Sequence, residues 1–213
     1  MAGGEELKLL GWWAPGVSPY VLRAQMALAV KGLSYEYLPE DRWCKSDLLI
    51  ASNPVYKKVP VLIHNGKPIC ESLLIVEYLD DALGLPGNGK PILPADPYSR
   101  ALARFWAAYA NDKLFPSCAG ILKTVKQEER AGKVEETLSG LRHLEAILAE
   151  CSKGEVEAPF FGGDDIGFLD IALGCYLPWV AEPVKALLPG VDELEEYITK
   201  VLYPKWNIAV TSN

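Results

Sequence analysis

The stretch Lys57-Lys58-Val59-Pro60-Val61-Leu62-Ile63-His64-Asn65-Gly66-Lys67-Pro68-Ile69-Cys70-Glu71-Ser72 decides the fold. It is built as a β-hairpin: an apolar run from Val59 to Ile63, a turn at Asn65-Gly66, and a short return strand through Ile69. Asn-Gly between apolar runs is a strong hairpin signal because both residues tolerate positive φ. Pro60 offers no N–H to a ladder, so Val59-Pro60 marks a sheet edge, a strand start or a cis peptide. The return strand runs into Glu71-Ser72, and Ser72 reads as the N-cap of a helix through Leu73, Ile75, Val76, Tyr78 and Leu79. Edge backbone beside a helix N-terminus, with an acidic residue at the junction, can hold a peptide-like molecule that carries both an amine and a carboxylate.

Upstream of the hairpin, Leu7 to Leu10 reads as a short strand and Gly11 to Val17 as a loop. Ser18-Pro19 is a good N-cap and N1 pair, since proline lacks the N–H that would be orphaned there. The helix it opens runs from Pro19 to Lys31, with Leu22, Met26, Ala29 and Val30 on the inner face and Gly32 as the C′ residue. Ser34 to Leu38 alternates like a strand. Pro39 to Lys45 is a polar loop, and a short helical patch follows around Leu48 to Ile50. The order β-α-β-(α)-β-β-α fits a small α/β sandwich.

Downstream, Gly84 to Pro97 holds three glycines and four prolines and reads as a domain boundary. The expected division is 1–84 as a ligand-binding domain, 85–97 as a linker and 98–213 as an all-helical domain. Tyr98 to about Leu122 carries Leu102, Phe105, Trp106, Tyr109 and Leu114 at helical spacing. Val134, Leu138, Leu141 and Leu148 mark a second helix, with Lys133 and Arg142 outside. At Phe160 to Ile171 a turn enters a third helix. Gly167 as N-cap puts Asp170 at N3, where its carboxylate can accept the cap's own N–H, and Ile166 and Ile171 form a hydrophobic staple. The buried stripe continues through Leu173, Tyr176, Leu177 and Val180, and Glu193 to Val201 is a last short helix.

The 213 residues are half hydrophobic and 23% charged, an ordinary globular balance. The net charge of −7 leaves neither half basic, which argues against a nucleic-acid backbone as partner. The longest apolar runs fall short of the roughly 18–20 residues of a membrane span. The acidic start has no basic n-region, so no leader is expected. Five cysteines at 44, 70, 118, 151 and 175 show no pair spacing and suit a reducing, cytoplasmic setting. His64 and His143 lack metal-ligand spacing, and no glycine-rich loop ends in Lys-Ser/Thr.

Ser18 reads as an ordinary cap and, by the same geometry, as a hydroxyl that can hydrogen-bond an anion parked at a helix N-terminus. For a thiolate, lowering the pKa from about 8.5 to about 6.5 needs roughly 2.7 kcal/mol. A hydrogen bond to a charged group supplies about 1.5–3 kcal/mol. The helix terminus adds about 0.3–1 kcal/mol, and up to ~2 where partly buried. The two together suffice; either alone is marginal. Glu71-Ser72 reads as a capping junction, or as Ser72 holding a carboxylate while Glu71 takes an ammonium. Lys45, Lys57 and Lys58 read as solvated charges, or as cations for a second carboxylate on the opposite side.

With these residues placed, the chain resembles the plant tau-class glutathione transferases from Leu7 to about Trp179. The resemblance is carried by Ser18-Pro19-Tyr20 with Arg23, Lys31-Gly32-Leu33-Ser34-Tyr35-Glu36-Tyr37, Lys45-Ser46, Asn53-Pro54-Val55-Tyr56-Lys57-Lys58-Val59-Pro60-Val61-Leu62, and Gly66-Lys67-Pro68. Glu71-Ser72, Leu93-Pro94-Ala95-Asp96-Pro97, Arg104-Phe105-Trp106 and Phe161-Gly162-Gly163-Asp164 complete it. It implies a thioredoxin-like N-terminal domain and an all-helical C-terminal domain. It also implies a cytosolic homodimer that conjugates glutathione, as co-substrate, to hydrophobic electrophiles in detoxification, without a metal or prosthetic group. Ser18 resembles the catalytic serine that donates to the glutathione thiolate. Lys45 and Lys58 resemble the pair that meets the glycyl carboxylate. Val59 resembles the residue whose backbone pairs with the cysteinyl part, with Pro60 cis, and Glu71 and Ser72 resemble the γ-glutamyl contacts. Tyr20, Phe115, Ala119, Leu122 and Trp179 fall where the family lines its acceptor pocket.

Three departures accompany the match. The loop Trp12 to Val17 is a little longer than usual, and Tyr56 stands where histidine is common. After Trp179, Ala181-Glu182-Pro183-Val184-Lys185 leads directly to Leu188-Pro189-Gly190, as if a helical block after about 181 were missing from the second domain. Serine rather than cysteine at position 18 argues against the glutathione-dependent reductases, which need a thiol for mixed disulfides. The alternative function is a non-catalytic carrier of glutathione or bulky aromatic ligands.

Overall fold

The computed structural model describes residues 6–13, 18–83, 91–151 and 160–176, with backbone only at 122 and 148–151. The chain divides into two compact units, Met1–Pro91 and Ile92–Asn213.

The first unit runs β1 (Leu7–Trp12), α1 (Pro19–Val30), β2 (Glu36–Glu40), α2 (Asp47–Ser52), β3 (Val61–His64), β4 (Lys67–Cys70), α3 (Ser72–Leu83). Among the described residues its four strands form one sheet in the order β2-β1-β3-β4. β2 is parallel to β1, and the other two pairs are antiparallel. The hairpin forms as its sequence dictates: Asn65 and Gly66 take φ 48° and 77°, and the strands pair from Val61 with Cys70 to His64 with Lys67. Leu9, Leu10, Val61 and Leu62 of the sheet, Ala24 and Leu28 of α1, and Ile75, Val76 and Leu79 of α3 are wholly buried.

Four expectations change here. β3 is flanked by β1 and β4, so it is an inner strand and not a sheet edge. Its ladder starts at Val61 and not at Val59, while the Val59-Pro60 bond just before it is cis, one of the alternatives the proline left open. β1 extends through Gly11 and Trp12, because β2 runs on through Pro39 and Glu40 and pairs with both. Pro39 is tolerated there because β2 is an edge strand. On α1 only Met26 of the expected inner residues is buried; Ala29 is exposed, Leu22 and Val30 are half-buried, and Val21, Ala24, Ala27 and Leu28 face the core. The helix is apolar on nearly every side, so its periodicity leaves its rotation unset.

Gly32 ends α1 as expected, at φ 62°, with Gly32 N–H donating to the Ala29 carbonyl and Leu33 N–H to that of Leu28. α1 packs on α3. The two helices are also joined by a buried ion pair, Lys31 Nζ to Asp80 Oδ1 at 2.6 Å.

The second unit holds α4 (Pro97–Tyr109), a π-helical segment Ala110–Leu114, α5 (Phe115–Lys123), α6 (Gln127–Cys151) and α7 (Phe168–Gly174). The helix expected over Tyr98 to Leu122 starts one residue earlier, capped by Asp96, and changes pitch in the middle. Pro116 has no N–H for the ladder, and Phe115 N–H reaches back to the carbonyl of Ala110. Of the stripe at helical spacing, Leu114 is buried, whereas Leu102 and Phe105 are exposed along with Tyr98; Ala107 and Ala110 are buried instead. On α6, Leu141 is buried as expected, Val134 and Leu138 only half so. Thr137 is wholly buried, a position the apolar pattern passed over. Its hydroxyl donates to the Lys133 carbonyl at 2.8 Å and contacts Ser117 Oγ on α5 at 3.2 Å.

α7 starts as its sequence implies. Asp170 Oδ2 accepts from Gly167 N–H at 2.9 Å and from Gly162 N–H at 3.1 Å, and Oδ1 accepts from Phe161 N–H at 3.0 Å. A Cβ on Gly162 would sit 2.8 Å from Gly167 N, so only glycine allows the turn to close on the helix. The expectations for Leu177, Val180 and Glu193 to Val201, and for a block missing after 181, lie outside the described residues, as does the side chain of Leu148. Among the described residues no helix is long and apolar enough to cross a membrane.

Candidate functional site

Strand direction gathers the candidate residues of the first unit at one end of the sheet. β1 and β2 finish there, β3 begins there, and antiparallel β4 finishes there. The Val61–Cys70 pair closes the hairpin ladder; one step beyond it stand Pro60 on one arm and Glu71 on the other. β1 leaves the same end toward Ser18 and α1, and β2 leaves it toward Lys45 and α2.

Ser18 caps α1 from an extended backbone, φ −120° and ψ 118°. It is buried, and its Oγ accepts from Val21 N–H at 3.4 Å, a long contact. Because the oxygen is the acceptor, the hydroxyl proton is available to a second partner. No acidic residue occupies the first turn, so the positive end of the helix is not neutralised from within its own helix. Capping and donation are thus one geometry.

Ser72 is the first residue of α3 and not its cap; Glu71 precedes it at φ 70° and takes the Ile75 N–H on its carbonyl. Buried Ser72 accepts from Arg23 Nη1 at 2.8 Å, which again leaves the hydroxyl proton for another acceptor. Arg23 itself is buried on α1, with its guanidinium carbon 5.7 Å from the Tyr20 ring centroid. Its role is not legible from spacing; a lone arginine in an otherwise apolar helix segment is the available signal. Glu71, whose side chain is exposed, immediately precedes Ser72.

The approach to Val59 is organised by Asn53, which sequence reasoning passed over. Its side chain donates to the Lys58 carbonyl at 3.0 Å and accepts from Tyr56 N–H at 3.1 Å, while its carbonyl takes Lys57 N–H at 2.8 Å. Buried Asn53 therefore folds 53–58 into a tight turn, with Lys57 at φ 52° and the exposed Lys58 ammonium 6.0 Å from the Tyr56 ring centroid. The Asn-Pro step at 53–54 was the signal for it. Val59 is nearly buried, and Lys45 is exposed in the loop after β2.

In the second unit, Phe115 is half-buried and stacked on Tyr176, with centroids 4.0 Å apart and planes 15° apart, and Tyr176 donates to Asn111 Oδ1 at 2.9 Å. Ala119, one turn along α5, is half-buried. Leu122 is described by its backbone alone, and Trp179 lies outside the described residues. Tyr20 belongs to the first unit and is partly exposed. Among the described residues no group of three His, Cys, Asp or Glu side chains could hold a metal ion.

Comparison with known proteins matches this architecture. Residues 5–81 fit the family model for the glutathione S-transferase N-terminal domain. Glutathione S-transferase U17 of Arabidopsis thaliana is 49% identical over 201 residues, 94% of this chain and 84% of that one. The crystal structure of the tau-class glutathione S-transferase of mango, Mangifera indica, superposes with a TM-score of 0.82 at 47% identity, covering 98% of this chain and 89% of that one. Rice GST1, solved in complex with glutathione, gives 0.81 at 37% identity over 97% of this chain and 91% of its own. The chain belongs to the glutathione S-transferases, and within them to the plant tau class.

Proposed function

We propose that this protein conjugates the thiolate of glutathione to hydrophobic electrophiles, with Ser18 as the residue that holds the thiolate. The observation that carries this reading is the state of the Ser18 hydroxyl: it accepts from Val21 N–H at the unneutralised start of α1, and its proton is left to donate to an anion. Hydrogen bond and helix terminus together lower the thiol pKa, and the thiolate attacks the electrophile held beside it.

The rest of glutathione follows the same end of the sheet. Backbone at Val59, ahead of cis Pro60, pairs with the cysteinyl portion. Ser72 donates to the γ-glutamyl carboxylate, with its oxygen already engaged by Arg23, and Glu71 takes the ammonium. Lys45 and Lys58, both exposed cations, meet the glycyl carboxylate. Phe115 and Ala119 of the second unit line the acceptor site. Glutathione is a co-substrate, and the chemistry calls for no metal or prosthetic group. The assembly is a homodimer, a reading supported by exposed Tyr98, Leu102 and Phe105, which fall on one side of α4. The setting is the cytoplasm and the role is detoxification.

The test is Ser18→Ala assayed with glutathione and 1-chloro-2,4-dinitrobenzene. We expect kcat/KM to fall about a hundredfold, together with loss of thiolate absorbance at neutral pH. An unchanged rate and unchanged absorbance remove Ser18 from the mechanism. Retention of the unaltered protein on glutathione resin with no turnover replaces the enzyme by a carrier.

A further inference from the structure

We infer that Glu40, a buried carboxylate outside the residues assigned to glutathione, is the positioning residue of the loop that carries Lys45. The inference rests on the reading of Lys45 as a glutathione contact. Glu40 ends edge strand β2 and is 4% exposed. Buried carboxylates are rare unless they are hydrogen-bonded, and this one grips a single residue with both oxygens. Oε2 accepts from Ser46 N–H at 3.1 Å, and Oε1 accepts from Ser46 Oγ at 2.5 Å. With its proton committed to Glu40, Ser46 Oγ presents a lone pair to Leu49 N–H at 3.0 Å and caps α2.

Lys45 immediately precedes this clamp. On its other side Asp41 Oδ1 accepts from Trp43 N–H at 2.6 Å and from Cys44 N–H at 3.2 Å. The lysine is therefore held between a turn built on Asp41 and a helix start built on Glu40. An ammonium on a four-carbon stem can be aimed only as well as its backbone is fixed, so Glu40 sets where that charge sits without itself touching the ligand.

The backbone of Glu40 makes a second tie. Its carbonyl accepts from Trp13 N–H at 3.0 Å, and the neighbouring Tyr37 hydroxyl donates to the Trp12 carbonyl at 2.5 Å. These bonds hold the point where the chain leaves β1 for Ser18. One residue thus anchors, through separate atoms, the loop of the lysine and the exit toward the serine. Replacing the side chain cuts only the first of these ties.

The test is a kinetic cycle on the full chain with glutathione and 1-chloro-2,4-dinitrobenzene, using Glu40→Ala, Lys45→Ala and the double variant. We expect each single change to raise KM for glutathione about tenfold, with kcat changed less than about twofold. The double variant should rise no further than Lys45→Ala alone, because the two residues act through one contact. Glu40→Gln, whose carbonyl can accept only one of the two Ser46 bonds, should fall between wild type and Glu40→Ala. If Glu40→Ala does not fold, the cycle is run with Glu40→Gln. Multiplicative effects in the double variant, a fall in kcat without a rise in KM, or a normal KM beside a raised one in Lys45→Ala each overturn the positioning role. A normal KM in Lys45→Ala overturns the assignment of Lys45 itself, and the positioning role falls with it.

Discussion

The two units begin helices with different polar groups, and the difference separates function from architecture. In the second unit, Asp170 at the start of α7 is occupied by three backbone N–H groups at 2.9–3.1 Å. Nothing in that arrangement calls for a ligand, since the carboxylate joins the Phe161–Gly162 turn to the helix and completes it. In the first unit, Ser18 at the start of α1 makes one long contact of 3.4 Å and retains its proton. Most buried polar side chains follow the same division, the Lys31–Asp80 pair that ties α1 to α3 being structural within the first unit. Ser18, Arg23, Glu40, Asn53 and Ser72 lie at or lead into one end of the sheet, whereas Ser117 and Thr137 bond α5 to α6. On the proposed reading, the cap filled by its own chain is structural and the loosely filled one takes the substrate.

The strongest way to break this contrast is Asp170→Ala. It leaves three N–H groups, two of them partly buried, without their charged acceptor, and we expect a loss of about 3 kcal/mol in stability measured by denaturant melts. Activity per folded molecule should stay unchanged at low temperature. Ser18→Ala is the mirror experiment: the hundredfold loss of conjugation should come with no more than about 1 kcal/mol of stability, the usual worth of a cap. Equal effects of the two changes on both measurements would erase the distinction.

Cys118 sharpens the comparison through pH. Its thiol on α5 is buried, and burial raises its pKa to about 11 from an ordinary 9. The native state keeps this proton longer than the unfolded state. Its contribution is therefore fully present below about pH 9 and is lost as pH rises toward 11, by about 2–3 kcal/mol in all. Cys118→Ala should flatten the stability curve over that window. In the wild type at pH 8, mass spectrometry after brief alkylation should find exposed Cys44 modified and Cys118 intact. The smallest effect belongs to Thr137→Val, expected to cost about 1 kcal/mol by breaking the hydroxyl contacts between α5 and α6.

Much of the first unit was legible because its signals are local. Asn65-Gly66 needs only its own φ angles to make the hairpin, Gly32 ends α1 by the same freedom, and Gly167 with Asp170 three residues on spells out a helix start. Less was legible where a choice depended on what packs against a segment. The buried face of α1, the exposure of Leu102 and Phe105, and the burial of Thr137 all turn on neighbours distant in sequence. For the site, Ser18, Glu71 and Ser72 were readable as a cap and a junction. Arg23 and Glu40 were not, because each acts through a hydrogen bond whose partner is set by the folded backbone, whereas Asn53 bonds locally and its Asn-Pro step was the signal for it.

The sequence alone determined the hairpin, the order of elements and the serine that opens α1, since turn geometry and capping are properties of a few consecutive residues. Only the tertiary structure decided that β3 lies inside the sheet, that Arg23 reaches Ser72 across forty-nine residues, and that Glu40 closes on Ser46. A side chain's hydrogen-bond partner is fixed by where the backbone has already been brought, and packing of the whole unit brings it there.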